Sequence, residues 1–122
     1  MDIIISNASD KPIYEQIASQ VKGLIVSGEL AEGTQLPSIR ALANTLRVSV
    51  ITTKRAYADL EAAGFVQTVP GKGCFVAGGN RQLVYEERLR AVDALLAQAV
   101  REGHDLGLSD EDLLEMLRLQ LE

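Results

Sequence analysis

The chain has 122 residues, of which 47% are apolar and 24% charged, and a formal net charge of -5. This length normally forms one compact domain with a small appendage, so two large domains are excluded. No uncharged apolar run approaches the roughly 20 residues that span a bilayer, and no signal-peptide pattern opens the chain. The single cysteine excludes an internal disulfide, so we expect a cytoplasmic protein without a membrane partner.

The first predicted element is a helix that starts near Pro12 and ends at Gly28. Asp10 or Lys11 is expected at its N-cap, with the proline in the first turn. Its apolar residues recur at helical spacing, at Ile13, Ile17, Val21 and Leu24. Residues 29–35 are predicted to form a loop, because glycine interrupts the pattern there.

Two short helices separated by a brief turn are predicted next. Ser38 is expected to cap the first, over residues 39–46, and Ser49 the second, which extends to about residue 62. The predicted buried positions are Ile39, Leu42, Ala43 and Leu46 in the first, and Thr53, Ala56, Tyr57, Leu60 and Ala63 in the second. Gly64 is expected to end the second helix in a left-handed conformation.

A β-hairpin is predicted after these helices. Residues 65–69 and 74–77 have the composition of strands, and they flank the turn residues 70–73. Three helices followed by a hairpin make a winged helix-turn-helix, which we assign to residues 1–78. The predicted fold is therefore mainly α with a small β-hairpin.

The rest of the chain, residues 79–122, is predicted to form two helices. The first runs over residues 81–102 after a glycine-rich hinge and stops at Gly103, and the second starts at Ser109, which forms a capping box with Asp112. Their apolar faces consist of Leu89, Val92, Leu95, Leu96, Ala99, Val100, Leu113, Leu114, Leu117 and Leu121. An isolated helical pair this short is marginal, so we expect these faces to pack against a second copy in a two-fold dimer.

Charge is distributed unevenly along the chain. Residues 38–73 contain five basic and two acidic side chains, whereas residues 79–122 contain five arginines and ten acids. A net acidic protein binds phosphate poorly, but an acidic tail held away from DNA leaves the basic region free to approach it. Duplex DNA is therefore the expected partner of the helix-turn-helix.

Several segments together resemble the GntR family of bacterial transcription regulators, and the short two-helix tail is similar to its YtrA-type branch. The specific segments are residues 12–17 (PIYEQI), the 28–33 loop leading into residues 36–43 (LPSIRALA), and residues 71–73 (GKG) followed by 75–76 (FV). The resemblance implies a winged helix-turn-helix, a C-terminal dimerisation region and control of transcription at a palindromic operator.

The resemblance also implies a set of DNA contacts. They are Ser38 and Arg40 around the second helix, Ser49, Thr52 and Lys54 in the recognition helix, and Gly71, Lys72 and Gly73 in the wing. Many family members have arginine after the serine that opens the recognition helix, but this chain has Val50. Apolar contact with a thymine methyl would then replace guanine reading at that position. Of Lys54 and Arg55, one is expected to read a base or phosphate while the other holds the DNA backbone or pairs with Asp59. Either Arg40 or Arg55 is expected to select bases.

Several of these residues could have a purely structural role instead of, or in addition to, a functional one. The two serines also act as helix caps, a role compatible with a phosphate contact, and the wing glycines also suit a tight turn. Cys74 is favoured as a packing residue over a redox or metal ligand, and His104 as an exposed loop residue over a metal ligand.

The sequence predicts a transcriptional repressor that binds operator DNA as a homodimer. No metal or cofactor is expected, and no catalytic motif is present, so we do not expect an enzyme. Any small-molecule effector should bind between subunits, because the tail alone cannot enclose a ligand. The alternative is a winged-helix adaptor that binds protein rather than DNA.

Overall fold

The computed structural model describes residues 1–122 and comprises two compact units, residues 1–85 and 86–122. The elements in chain order are α1 (Ile13–Ser27), α2 (Ile39–Leu46), α3 (Val50–Ala62), β1 (Val66–Val69), β2 (Gly73–Val76), α4 (Arg81–Asp105) and α5 (Asp110–Leu121). The predicted fold class, mainly α with one antiparallel hairpin after three helices, is confirmed. The functional division between residues 78 and 79 remains a prediction.

The start of α1 differs from the expected cap. Pro12 itself occupies the N-cap position, with φ -57° and ψ 153°, and no side chain caps the helix. The Pro12 carbonyl oxygen accepts a hydrogen bond from the backbone N–H of Gln16 at 3.1 Å. The assignment of Asp10 or Lys11 to the cap was therefore wrong, because the fixed φ of proline already suits the helix start. Gly28 ends α1 with φ 88°, as predicted.

Serine caps fix the starts of α2 and α3, as predicted. Ser38 Oγ accepts the backbone N–H of Ala41 at 3.1 Å, and Ser49 Oγ accepts that of Thr52 at 3.0 Å. Between the helices, Arg47 takes a left-handed conformation with φ 58°. A non-glycine residue pays about 1 kcal/mol or more for that backbone geometry, so the tight turn is held by the packing of the two helices.

The core of the first unit lies where α1 packs on α3. Ile17 and Val21 of α1 are completely buried. Leu24 is only half-buried, and Ile25 takes the interior position on the last turn of α1. Ala63 is exposed, contrary to prediction, because α3 ends one residue earlier and the chain reverses there. The core also contains Leu36, Leu42, Ala56, Tyr57, Leu60, Phe65, Val66 and Val76.

Two glutamines attach the N-terminal segment to α1. The buried amide of Gln16 accepts the backbone N–H of Ser6 at 2.9 Å and donates to the carbonyls of Ser6 and Lys11 at 3.0 and 2.9 Å. Gln20 forms two similar bonds with the backbone of Ile4, at 2.8 and 2.7 Å. A buried amide must be hydrogen-bonded to avoid a desolvation cost, so these contacts fix the segment in place.

The hairpin pairs Val66 with Val76 and Val69 with Gly73. Residues 70–72 form the turn, closed by a hydrogen bond from the backbone N–H of Lys72 to the carbonyl of Val69 at 3.0 Å. The predicted turn was one residue too long, because Gly73 already belongs to β2.

A short stretch before α2 extends the hairpin. Gln35 forms an isolated antiparallel bridge with Phe75, and the backbone N–H of Leu36 donates to the carbonyl of Cys74 at 2.8 Å. The predicted loop over residues 29–35 was therefore wrong at its end. Its pairing partner lies far along the chain, so local composition gives no signal for it.

Gly103 lies inside α4 and does not end it. The side chain of Leu113 from α5 covers this glycine, and a Cβ atom added there would lie 2.5 Å from Leu113 Cδ2. The prediction that Gly103 stops the helix was wrong because its missing side chain lets α5 approach. The helix ends two residues later, and Gly107 turns the chain with φ 87°. Both bonds of the predicted capping box between Ser109 and Asp112 are present.

Replacing Gly103 with alanine is expected to be less favourable than the same change at Gly23. Both glycines are helical, but a Cβ atom at Gly23 has no neighbour within 4 Å. Alanine has a higher helix propensity than glycine, which should raise the free energy of unfolding of both variants by about 0.8–1 kcal/mol. In Gly103→Ala, overpacking against Leu113 should lower the free energy of unfolding by about 1–3 kcal/mol. Urea unfolding of both variants measures the difference, and equal effects would show that Leu113 moves aside freely.

Candidate nucleic-acid interface

The start of α2, α3 and the wing enclose an open cleft of about 470 Å³. It brings together four of the predicted DNA contacts, Ser38, Arg40, Lys54 and Gly73. The remaining lining residues are Pro37, Ile39, Tyr57, Ala58, Glu61, Thr68 and Cys74. Two cations therefore border a surface formed by a helix start, the recognition helix and the hairpin.

Ser49 and Thr52 form a compact polar group at the start of α3. The Ser49 hydroxyl donates to Thr52 Oγ1 at 2.7 Å, in addition to accepting the backbone N–H of Thr52. The first backbone N–H groups of a helix point outward and attract anions, so this end of α3 suits a phosphate oxygen. The capping roles are confirmed, and the DNA contacts of Ser49 and Thr52 remain predictions.

Tyr57 fixes α3 against the segment before α2. Its hydroxyl donates to the carbonyl oxygen of Pro37 at 2.7 Å. Burial, and to a smaller degree the nearby Cys74 thiol, raises the pKa of Tyr57 above its ordinary value, so the phenol stays protonated and remains a donor. Tyr57 was predicted to lie in the core, but this hydrogen bond, which ties the segment before Ser38 to α3, was not predicted.

The base of the wing is held by two polar contacts. Glu61 at the end of α3 accepts the backbone N–H of Thr68 at 2.6 Å. Gln35 Nε2 donates to the carbonyl oxygen of Lys72 at 3.1 Å. Gly73 has φ 128°, a backbone conformation that side chains rarely adopt, so this position favours glycine. A Cβ atom there would also lie 2.6 Å from Gln35 Nε2, which would have to move.

The tip of the wing leaves Gly71 and Lys72 exposed. Gly71 has φ 76°, a conformation that side chains rarely adopt. Backbone and one lysine are therefore the groups that this turn offers to a DNA groove. The alternative interpretation, that the glycines only close the turn, accounts for their conformation but not for a lysine between them.

Arg55 is held by α1 rather than by its own helix. Its guanidinium carbon lies 3.7 Å from the centroid of the Tyr14 ring, a cation–π geometry. The contact replaces the pairing with Asp59 that the sequence left open. Tyr14 was not identified as a site residue, and its place in the segment PIYEQI was the only signal available.

Apolar side chains are exposed at the start of α3. Val50 is 44% exposed and borders a shallow surface with Arg40, Ala41 and Asn44, while Ile51 is 80% exposed. Val50 was predicted to contact DNA, whereas Ile51 was not identified as a site residue. Its position outside the buried spacing of α3 was the signal that could have identified it.

Cys74 and His104 have structural partners. Cys74 is half-buried against the core, and burial is the main reason that the pKa of its thiol is raised, with a further increase from Glu61. A raised pKa lowers the reactive thiolate fraction. His104 lies in the last turn of α4, not in a loop, with Nε2 2.8 Å from Asp110 Oδ1. No cluster of three or more metal-ligating side chains occurs.

The predicted dimerisation face is largely open to solvent in the single chain. Leu113 is half-buried against Gly103. The other predicted residues are exposed, namely Leu89, Val92, Leu95, Leu96, Ala99, Val100, Leu114, Leu117 and Leu121. Within residues 86–122, α4 and α5 form an apolar groove of about 510 Å³. Exposed apolar surface of this extent is typical of an interaction site.

Comparisons with known proteins identify the family. The sequence profile for bacterial regulatory proteins of the gntR family matches residues 13–76, which span α1 to the end of the hairpin. The chain belongs to the gntR family. The HTH-type transcriptional repressor YtrA of Bacillus subtilis is 32% identical, over 95% of this chain and 89% of its own length.

Solved structures of other proteins have the same fold. A transcriptional regulator from Oenococcus oeni superposes with a TM-score of 0.81 and 27% identity, over 97% of this chain and 98% of that one. The structure of AraR(DBD) in complex with operator ORX1 gives a TM-score of 0.56 and 25% identity, over 63% of this chain and 96% of that one.

Family membership establishes a DNA-binding transcriptional regulator and confirms both the predicted resemblance and its YtrA-type relatives. Two relatives to which the chain is similar are named as an HTH-type transcriptional repressor and an HTH-type transcriptional regulator. None of the helices is both long enough and apolar enough to cross a bilayer.

Proposed function

We propose that this regulator is a cytoplasmic repressor that binds a palindromic operator as a homodimer. The main structural support for DNA binding is the cleft that Ser38, Arg40 and Lys54 line together with residues at the base of the wing. Occupation of a promoter would block polymerase, which is the simplest route to repression. The name of the B. subtilis relative, a transcriptional repressor, supports this direction of control.

In the proposed complex, α3 enters the major groove and the wing lies beside it. Ser38, Lys54 and Lys72 contact phosphates and supply affinity, while Val50 and Thr52 contact base edges. Arg40 is free of side-chain partners in the cleft, so we assign the guanine-reading role to it.

Arg55 and the remaining wing residues have positioning roles in the proposed complex. Arg55 is stacked on Tyr14, so we assign it a contact with the DNA backbone. Gly71 and Gly73 allow the wing backbone to approach a minor groove. The negative electrostatic potential of that groove would attract the Lys72 side chain.

Dimerisation is proposed to occur through residues 79–122. The leucines that line the apolar groove, Leu96, Leu114 and Leu117, remain partly open to solvent in the single chain, and a two-fold copy of the same face would bury them. Two copies of α3 would then occupy successive major grooves about 34 Å apart on one DNA face. An effector, where one exists, would bind in the apolar groove completed by the second subunit.

The proposal assigns no catalytic role, cofactor or metal to the chain. The sequence has no glycine-rich phosphate loop and no nucleophile motif. The alternative function, a winged-helix adaptor for protein partners, predicts nucleic-acid binding that is absent or insensitive to salt.

Selection of genomic fragments with purified full-length protein, followed by titration at several salt concentrations, tests the proposal. Affinity should fall with salt at a logarithmic slope near -0.9 for each phosphate neutralised. Lys72→Ala should weaken all sequences similarly and reduce the slope by about 1. Lys11→Ala removes an exposed lysine outside the cleft and should leave the slope unchanged. Failure to select any fragment in dilute buffer would favour the adaptor.

A further inference from the structure

Ile51 occupies an unusual place for a large apolar side chain. It is 80% exposed and lies in the first turn of α3. The buried residues of this helix are Thr53, Ala56, Tyr57 and Leu60. Successive helical residues are about 100° apart, so Ile51 lies on the face opposite this buried set. No packing requirement of the fold accounts for isoleucine at this position.

The surroundings of Ile51 favour DNA rather than a protein as its partner. Ser49 and Thr52 form a polar group beside it, and Lys54 follows on the same helix. Protein-binding patches are contiguous apolar surfaces depleted in lysine, and the only other large apolar side chain exposed on α3 is Val50.

The major groove offers one apolar group to such a side chain. Each thymine presents a C5-methyl group there, whereas the other base edges present hydrogen-bond donors and acceptors. The N-terminal residues of a recognition helix are those that reach base edges. A β-branched side chain such as isoleucine is also stiff at χ1, so little rotamer entropy is lost when it is fixed against a methyl group.

We infer that Ile51 is a specificity-determining residue that reads a thymine methyl group in each half-site. This inference rests on the proposed function and extends it: Ile51 and Val50 form an apolar pair at the start of α3 that selects thymine, while Arg40 selects guanine. Operators recovered by selection should therefore contain a thymine at a fixed distance from the preferred guanine in both half-sites.

Thymine-to-uracil substitution tests the inference, because it removes only the methyl group. The probe is a selected duplex in which thymidines are replaced one at a time by deoxyuridine. At the contacted position the wild-type protein should bind about fourfold more weakly, the fold-change equivalent to burying one carbon group. Ile51→Ala should bind the thymine and uracil duplexes equally at that position, and Ile51→Val should retain part of the difference.

Ile4→Ala is the matched control. Ile4 is 78% exposed but lies before α1, so its removal should leave the wild-type uracil profile intact. The salt slope should be the same in wild type and Ile51→Ala, because no phosphate contact is lost.

Three possible results separate this inference from the function on which it rests. Selective binding with a uracil profile that Ile51→Ala leaves unchanged, or with no uracil effect in the wild type, would overturn the role of Ile51 alone. Absence of binding to every fragment in dilute buffer would overturn the proposed function, and the inference with it.

Discussion

Replacing Leu96 and Leu117 together with glutamate is expected to make the protein monomeric and to weaken operator binding by about 10²-fold or more. Leu96 on α4 and Leu117 on α5 are 46% and 41% exposed, and both line the apolar groove of residues 86–122. Burying unpaired carboxylates at a dimer interface costs several kcal/mol. In a dimer, binding of one subunit to its half-site raises the effective concentration of the other subunit at the second half-site. A monomer loses this gain in operator affinity.

A second double variant controls for the added charge. Leu106 and Leu119 are also exposed leucines of this region, but neither lines the groove. Leu106→Glu combined with Leu119→Glu should remain dimeric and bind the operator as wild type does. Sedimentation equilibrium at micromolar protein gives the association state, and a groove variant that stays dimeric would refute the proposed interface.

The sequence predicts α2 and α3 well because their signals are local. Ser38 and Ser49 each cap a helix through a backbone N–H three residues away. The buried spacing of α3 is likewise contained within one element, except at Ala63. Capping and periodicity depend on neighbours a few residues apart, so no knowledge of the tertiary structure is needed to recognise them.

Contacts between distant segments could not be predicted in the same way. The hydroxyl of Tyr57 binds a carbonyl 20 residues earlier, and Gln35 Nε2 binds one 37 residues later. Gly103 illustrates the same limit, because glycine ends helices by propensity but here accommodates Leu113 from another helix. Tertiary packing overrides local preference at such positions.

The candidate site likewise has a part that the sequence predicts and a part that depends on tertiary structure. Residue type and resemblance selected Arg40, Lys54 and the wing, and the fold brings Arg40 and Lys54 into one cleft with Gly73. Neither signal revealed that Arg55 is stacked on Tyr14 or that Ile51 is exposed. Both facts depend on how α3 is rotated against α1, which is determined by the core rather than by the binding surface.

Replacing Arg40 with alanine is expected to cost about 1–3 kcal/mol of operator binding, roughly 5- to 150-fold in affinity. Arg40 is exposed on α2 and lines the cleft together with Lys54, where its planar group could form two hydrogen bonds to guanine O6 and N7. The loss should be confined to operators with guanine at one position of each half-site. Titration of single-base-pair operator variants at fixed salt measures it.

Arg40→Lys separates base reading from charge. If Arg40 only neutralised a phosphate, lysine would restore both the affinity and the salt slope, and the base-reading assignment would be wrong. A lysine has no planar fork, so a bidentate guanine contact should stay weakened although the charge is retained. The salt slope would then be close to that of the wild type, while the preference for guanine would be reduced. Arg81→Ala, which removes an exposed arginine outside the cleft, should change neither quantity.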